Sequence, residues 1–203
     1  MQNEDVGEVS HDLTQNAQDK TTIVPNGTNT TTVFNIFKDC EPIAIPHQLT
    51  KIVGARFIRL EETESHRKKP ADAKWQSERN YAHNNAIITG WLLAGRDYGI
   101  ATGFGKLACV DIDDVENARE TGILNKLPKT LTVRTGKGLH YWYVVEGLSK
   151  RILMNHPTKM DENNTKLRLH LGEVQSLGQY AVGPGSLHKS GKRYTIIDDA
   201  EIA

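Results

Sequence analysis

LACVDIDD, residues 107–114, reads as a short, buried, β-prone strand that ends in carboxylates. Side chains alternate across a strand. Leu107, Cys109, Asp111 and Asp113 therefore share one face, while Ala108, Val110 and Ile112 share the other and would pack on helices. Two acids two residues apart project side by side at a strand end. Like charges that close repel, and a cation between them relieves the repulsion. The natural occupant is a hard divalent ion, Mg²⁺ or Mn²⁺. A plainer role competes with this one. Asp113 or Asp114 could cap a helix over Val115–Gly122, because a carboxylate there accepts orphan backbone N–H groups.

The chain on either side of this strand supplies the rest of the pattern. Upstream, residues 98–102 (YGIAT) form a short strand followed by the turn Gly103-Phe104-Gly105. This is not a phosphate-binding P-loop, since Lys106 is followed by leucine rather than Ser or Thr. Residues 80–95 have the look of a helix, with an interruption near Gly90. A strand is expected over Arg56–Leu60, then a basic loop leading to Trp75, in which His66-Arg67-Lys68-Lys69 reads as a solvated turn or a phosphate contact. VFNIF (33–37) would be the first ordered piece.

Downstream, TLTVRT (130–135) and LHYWYVV (139–145) form a hairpin across Gly136-Lys137-Gly138. His140, Trp142 and Val144 share one face of its second strand; Leu139, Tyr141, Tyr143 and Val145 share the other. His140 thus lies beside a flexible cationic turn. Backbone N–H groups free to approach, one ammonium and one imidazole are what a phosphate site needs. Residues 146–165 read as an irregular or helical connection, and LRLHL (167–171) as a strand ending at Gly172-Glu173. Gly172 could supply a bulge that turns Glu173 toward Asp111 and Asp113. QYAV (179–182), a Gly/Pro-rich turn with Ser186 and His188, and a last strand YTII (194–197) complete the chain.

Composition bounds the function. No apolar run in the 203 residues approaches membrane-spanning length, and the acidic N-terminus has no apolar h-region. A cytoplasmic protein without membrane partners is the expectation. Cys40 and Cys109 are too few and too far apart for a zinc site, so no zinc is expected. The formal net charge of zero conceals an asymmetry: residues 1–40 carry −4 and residues 41–203 carry +4. The first 40 residues, rich in Asn, Gln, Thr and Asp, read as a largely disordered tail, and 41–203 as the folded domain. A mildly basic domain with an acidic cluster permits nucleic acid as a partner.

Taken in order, these motifs resemble the bifunctional DNA primase/polymerase (prim-pol) domain of the archaeo-eukaryotic primase superfamily. The resemblance runs from about residue 52 to 197. Arg67-Lys68-Lys69-Pro70 with Trp75 is similar to the family's Lys-Pro…Trp segment, and YGIATGFGKLACVDID to its glycine turn and first acidic motif. LPKTLTVRTGKGLHYWY resembles the second motif, a small-residue turn followed by His. GEVQSLGQYAVGPGSLHKSGKRY resembles the third acid, the glycine-containing strand and the Pro-x-Ser-x-His segment. Three departures stand out: Glu173-Val174-Gln175 stands where an Arg or Lys commonly follows the acid, a single glycine, Gly178, precedes Gln179-Tyr180, and Gly185 replaces a usual second proline.

The resemblance implies an α/β (α+β) fold with an RRM-like catalytic sheet and a smaller N-terminal αβ module packed on it. It implies a DNA primase or polymerase, a nucleotidyltransferase working on a single-stranded DNA template and primer with NTP or dNTP. Its setting would be replication of a plasmid, virus or other mobile element, with a C-terminal helical or helicase domain as a partner. Asp111, Asp113 and Glu173 would hold two Mg²⁺ or Mn²⁺ ions. His140, Lys137, Arg134, Ser186 and His188 would bind the nucleotide. Two alternatives follow from the residues themselves. A non-catalytic, RRM-like single-strand binder would use exposed Tyr141, Trp142 and Tyr143 for stacking. A metal-dependent nuclease would want a His-x-His pair, which the sequence lacks.

Overall fold

The computed structural model describes residues 41–63, 68–155 and 170–203. The expected tail over 1–40, VFNIF, Cys40, His66 and Arg67 lie outside the described residues. The acidic stretch forms strand β4, Leu107–Ile112, buried along nearly its whole length. It runs through the middle of a six-stranded antiparallel sheet. On one side it pairs with β6 (Leu139–Val144), which pairs with β5 (Thr132–Arg134) and then β10 (Thr195–Asp198). On its other side lie β8 (His170–Gln175) and β7 (Ile152–Asn155). A second, four-stranded antiparallel sheet has the order β2 (Lys68–Pro70), β1 (Arg56–Glu62), β3 (Tyr98–Ala101), β9 (Tyr180–Val182).

The alternation expected of β4 is what its two faces show. Leu107 and Cys109 join Phe57, Tyr98, Ile100, Val133 and Trp142 in the main core, which therefore draws on both sheets. Val110 and Ile112 point the other way, against Ala118 and Val115 of α3 (Val115–Glu120). Ile58, Leu60 and Ala101 form a third cluster with Trp75 and Tyr180. Each fully buried Leu, Ile or Phe contributes about 1.5–3 kcal/mol relative to exposure. These three clusters thus fix where the polar end of β4 must emerge.

Helix α2, Ala86–Leu93, begins at the Asn85 cap, whose side chain accepts from the Ile87 N–H at 2.9 Å. It runs unbroken through Gly90, contrary to the expected interruption, and buries Ile88 and Leu92. A single helical turn, α1, spans His47–Thr50. Asp114, not Asp113, caps α3, accepting from the Asn117 N–H at 3.0 Å.

Four further expectations need correction. Residues 146–165 were read as irregular or helical, yet Ile152–Asn155 is strand β7 at the edge of the large sheet. Its side chains are nearly all exposed, so they carry no apolar alternation to betray it. Lys68 was read as part of a solvated turn, but it lies on β2 with a mostly buried side chain paired to Asp97. Glu173 does not end a strand; β8 continues through it to Gln175. The smaller sheet is also not purely N-terminal in sequence, because β9 returns from beyond β8 to pair with β3.

Candidate functional site

The register of the large sheet assembles the site. Asp111 stands opposite His140 on β6 and opposite Glu173 on β8. Directly opposed residues have Cβ atoms about 4.5–5.5 Å apart on one face. The three side chains from three neighbouring strands are therefore side by side, on the face where Cys109 enters the core one step earlier. Burial first, and then the charges of Asp111 and Glu173, push the Cys109 thiol well above its ordinary value. Asp113 follows two residues on, just past the strand end, where its N–H donates to the Leu171 carbonyl at 2.8 Å.

Two glycines permit this close approach. A Cβ on Gly172, whose φ is 152°, would fall 2.0 Å from the Asp111 carbonyl oxygen. A Cβ on Gly138 would fall 1.9 Å from that of Ile112. The strands on both sides thus close on the end of β4 only because these positions lack side chains. The pairing of β8 with β7 shifts register next to Gly172, between Met154 and Asn155. The bulge expected at Gly172 is therefore present in the pairing with the edge strand.

Each acid has polar neighbours at some distance. Asp111 Oδ1 lies 3.4 Å from His140 Nε2, and its Oδ2 lies 3.3 Å from Gln175 Nε2. That same amide nitrogen reaches Glu173 Oε1 at 3.4 Å, while Nε of Arg151, the residue before β7, lies 3.1 Å from Glu173 Oε2. Asp113 faces Lys137 Nζ at 3.3 Å and His170 Nε2 at 3.6 Å. His140 is buried, and its Nδ1 has no hydrogen-bond partner among the described residues. A proton on Nε2, facing the carboxylate, leaves only a lone pair on the unpartnered side.

Asp113 opens onto a cleft of about 970 Å³. Its wall includes Arg134, the Thr135–Leu139 turn, Arg119, His170 and Lys192. Thr135 Oγ1 closes the turn by accepting from the Gly138 N–H at 2.8 Å. The His188 ring lies against Gly136, and its Nδ1 accepts from the Ser190 N–H at 3.1 Å. Burial first, then Lys189, Lys68 and Lys137, hold the His188 pKa below its ordinary value; with Nδ1 accepting from Ser190, Nε2 is the ring nitrogen left to donate. Tyr194 stands between the two imidazoles, 5.7 Å from His140 and 5.9 Å from His188 by ring centres. Burial, with the nearby Asp111, Asp97 and Asp113 charges, pushes its phenol up to about 12.

The structure thus brings Asp111, Glu173 and His140 together, with Asp113, Lys137 and Arg134 at the neighbouring cleft and His188 against its Gly136. Ser186 is not brought there. It is wholly buried, with Oγ accepting from the Tyr98 N–H at 3.3 Å and donating to the Tyr98 carbonyl at 3.4 Å. Trp142 and Tyr143 are buried too, which removes them as an exposed stacking platform. Sequence reasoning named Gln175 only as a departure from the family pattern and passed over Arg151, His170, Arg119 and Lys192. Gln175 carried a signal: two residues from Glu173 on one strand, it must share that face. Arg151 carried none, since β7 itself was not visible.

Among the described residues, no three His, Cys, Asp or Glu side chains already stand in a metal-holding arrangement. The chemistry of the donor set nonetheless suits a hard divalent ion. Carboxylate oxygens of Asp111 and Glu173 share a single amide nitrogen, Gln175 Nε2, the kind of contact a cation replaces.

Fold and site together define a mixed α+β domain with acids at the centre of its larger sheet and cations around them. The chain belongs to the bifunctional DNA primase/polymerase family: the model of that family's N-terminal domain matches residues 31–203. Membership makes it a primase/polymerase-type nucleotidyltransferase domain, with DNA and nucleotides as substrates. No curated protein matches the chain. Among the described residues, no helix is long and apolar enough to cross a membrane.

Proposed function

We propose that this domain joins nucleotides to a DNA 3′-hydroxyl on a single-stranded template, with Asp111, Asp113 and Glu173 holding the divalent ions that the reaction needs. The observation that carries this reading is the register that sets Asp111 between His140 and Glu173. In the displacement, the 3′-hydroxyl gives up its proton to solvent, its oxygen bonds to the α-phosphorus of the incoming nucleotide, and pyrophosphate leaves with the electrons of the broken P–O bond. Two Mg²⁺ or Mn²⁺ ions, when bound, lower the barrier by stabilising the attacking and leaving oxygens.

The chain's own residues do the rest. Asp111 and Glu173 face one point on the sheet, and Asp113 faces the cleft. His140 Nε2–H steadies the Asp111 carboxylate and is a donor toward the phosphate tail. Lys137, Arg134 and Lys192 line the cleft and would take the triphosphate charge, with His188 adding an N–H donor at the Gly136 turn. Lys137 would exchange its Asp113 partner for phosphate. Ser186 acts one step back, by tying the 183–188 turn to Tyr98.

The test is a gel with primed and unprimed single-stranded DNA, nucleotides, and Mg²⁺ or Mn²⁺. Wild type should extend, and Asp111→Ala/Asp113→Ala should not. Equal extension by both proteins removes the assignment of these acids. Synthesis on unprimed template extends the reading to priming, and synthesis on primed template alone restricts it to polymerase.

A further inference from the structure

We propose that Gln175 is a further oxygen ligand at this site, its amide turning over when a divalent cation settles between Asp111 and Glu173; this rests on the reading of those acids as ion ligands. Gln175 lies on β8, opposite Cys109, and shares a face with Glu173. It is only 8% exposed. Its Nε2 points at both carboxylates, at 3.3 and 3.4 Å, longer than the 2.9–3.0 Å usual for such bonds. Its Oε1 is buried and has no hydrogen-bond partner among the described residues. A buried, unpaired amide oxygen beside two crowded carboxylates is unfavourable on its own account.

A cation between the carboxylates reverses the preference. The N–H dipole would then point at positive charge, whereas the carbonyl oxygen would be attracted to it. The terminal torsion of glutamine is soft and roughly two-fold, so a half-turn exchanges nitrogen for oxygen at the same point. Glutamine carbonyls are hard-ion ligands. Two carboxylates and one neutral amide match the charge of one divalent ion. The amide is thus a donor that separates the acids without the ion and a ligand with it. A lysine or arginine at this position could serve only the first state.

The experiment is a calorimetric titration of Mn²⁺ into the purified chain, without DNA or nucleotide, paired with thermal melts with and without Mn²⁺. Gln175→Met keeps length and removes the amide; it should weaken Mn²⁺ binding about ten- to a hundredfold. Gln175→Glu keeps an oxygen; it should bind at least as tightly as wild type, melt lower without the ion, and gain more on adding it. Gln175→Met with wild-type affinity, or Gln175→Glu as weak as Gln175→Met, overturns the proposal. If Gln175→Met does not fold, the melts decide: an ion-dependent gain for Gln175→Glu no larger than wild type overturns it. Asp111→Ala separates the two readings. If wild type takes up no Mn²⁺ that Asp111→Ala abolishes, the ion site itself is wrong. If Asp111→Ala loses binding and Gln175→Met keeps it, only the role of Gln175 is wrong.

Discussion

The two sheets use the same residue types for opposite ends. Beside the four-stranded sheet, in the segments that flank β2 and β3, acids are closed off by their partners. Asp72 receives both Arg59 Nε and Nη2, at 2.9 and 2.5 Å. Asp97 pairs with Lys68 and accepts from the Leu187 N–H at 2.8 Å, and its backbone carbonyl takes the Trp91 indole N–H at 2.7 Å. Arg59 and Arg96 both stack on Trp91, at 5.0 and 4.6 Å. In the six-stranded sheet, the described side-chain partners of Asp111, Asp113 and Glu173 stand 3.1–3.6 Å away. Distances beyond about 3.2 Å mark weak hydrogen bonds. The first set of acids holds the fold. The second is held in place by the fold and, among the described residues, has only long side-chain contacts to most of its oxygens, the arrangement expected of ligands and not of struts.

The comparison breaks most sharply at Asp111. Asp111→Asn should cost on the order of a thousandfold in primer extension, because a ligand carboxylate is lost. Its melting temperature should stay level or rise, since one of two facing negative charges is gone. A parallel fall in stability would show Asp111 to be a strut like Asp97. The converse variant, Asp97→Ala, removes the carboxylate that a mostly buried Lys68 ammonium pairs with, and about 3 kcal/mol of stability should go with it. Urea unfolding would read that loss. Extension by the surviving folded protein should be near normal.

A smaller effect sharpens the boundary between sheet and cleft. Lys137→Ala or Arg134→Ala should raise the KM for the nucleotide about tenfold, each removing one cation from the cleft wall. Thermal stability should hardly change, because both side chains are exposed and their loss uncovers no core. A drop in kcat with unchanged KM would place them elsewhere in the reaction.

How much of this was legible in the sequence follows the range of the interactions. The alternation in residues 107–113 is local, and it correctly separated the core face from the helix face. The Gly136-Lys137-Gly138 turn is local too, and it set His140 at the loop end of its strand. The pairing of β4 with β8 is not local. Only Gly172, a residue whose absent side chain matters to a neighbouring strand, hinted at it. The edge strand β7 escaped because exposed edge residues have no apolar period, and Arg151 escaped with it. Ser186 enters the expected site only through the resemblance of its Pro-x-Ser-x-His segment to the family's; its burial depends on the distant Tyr98 backbone.

The smallest expected effect tests the closed acids by pH. The Arg59 guanidinium, chiefly through its hydrogen bonds, holds the Asp72 carboxyl below its ordinary value of 3.8. A carboxyl with a lowered folded-state value stabilises fully above its unfolded value, and that stabilisation disappears as pH falls through the folded one. Wild type should therefore exceed Asp72→Asn by roughly 1 kcal/mol near pH 6. The gap should begin to close at about pH 4 and vanish at lower pH. Asp72→Asn is the right comparison because it keeps the shape of the contact and the Arg59–Trp91 stack while removing the charge. A gap that persists unchanged into acid would mean that Asp72 acts through shape alone. The contrast between closed and open acids would then rest on Asp97 and its buried lysine.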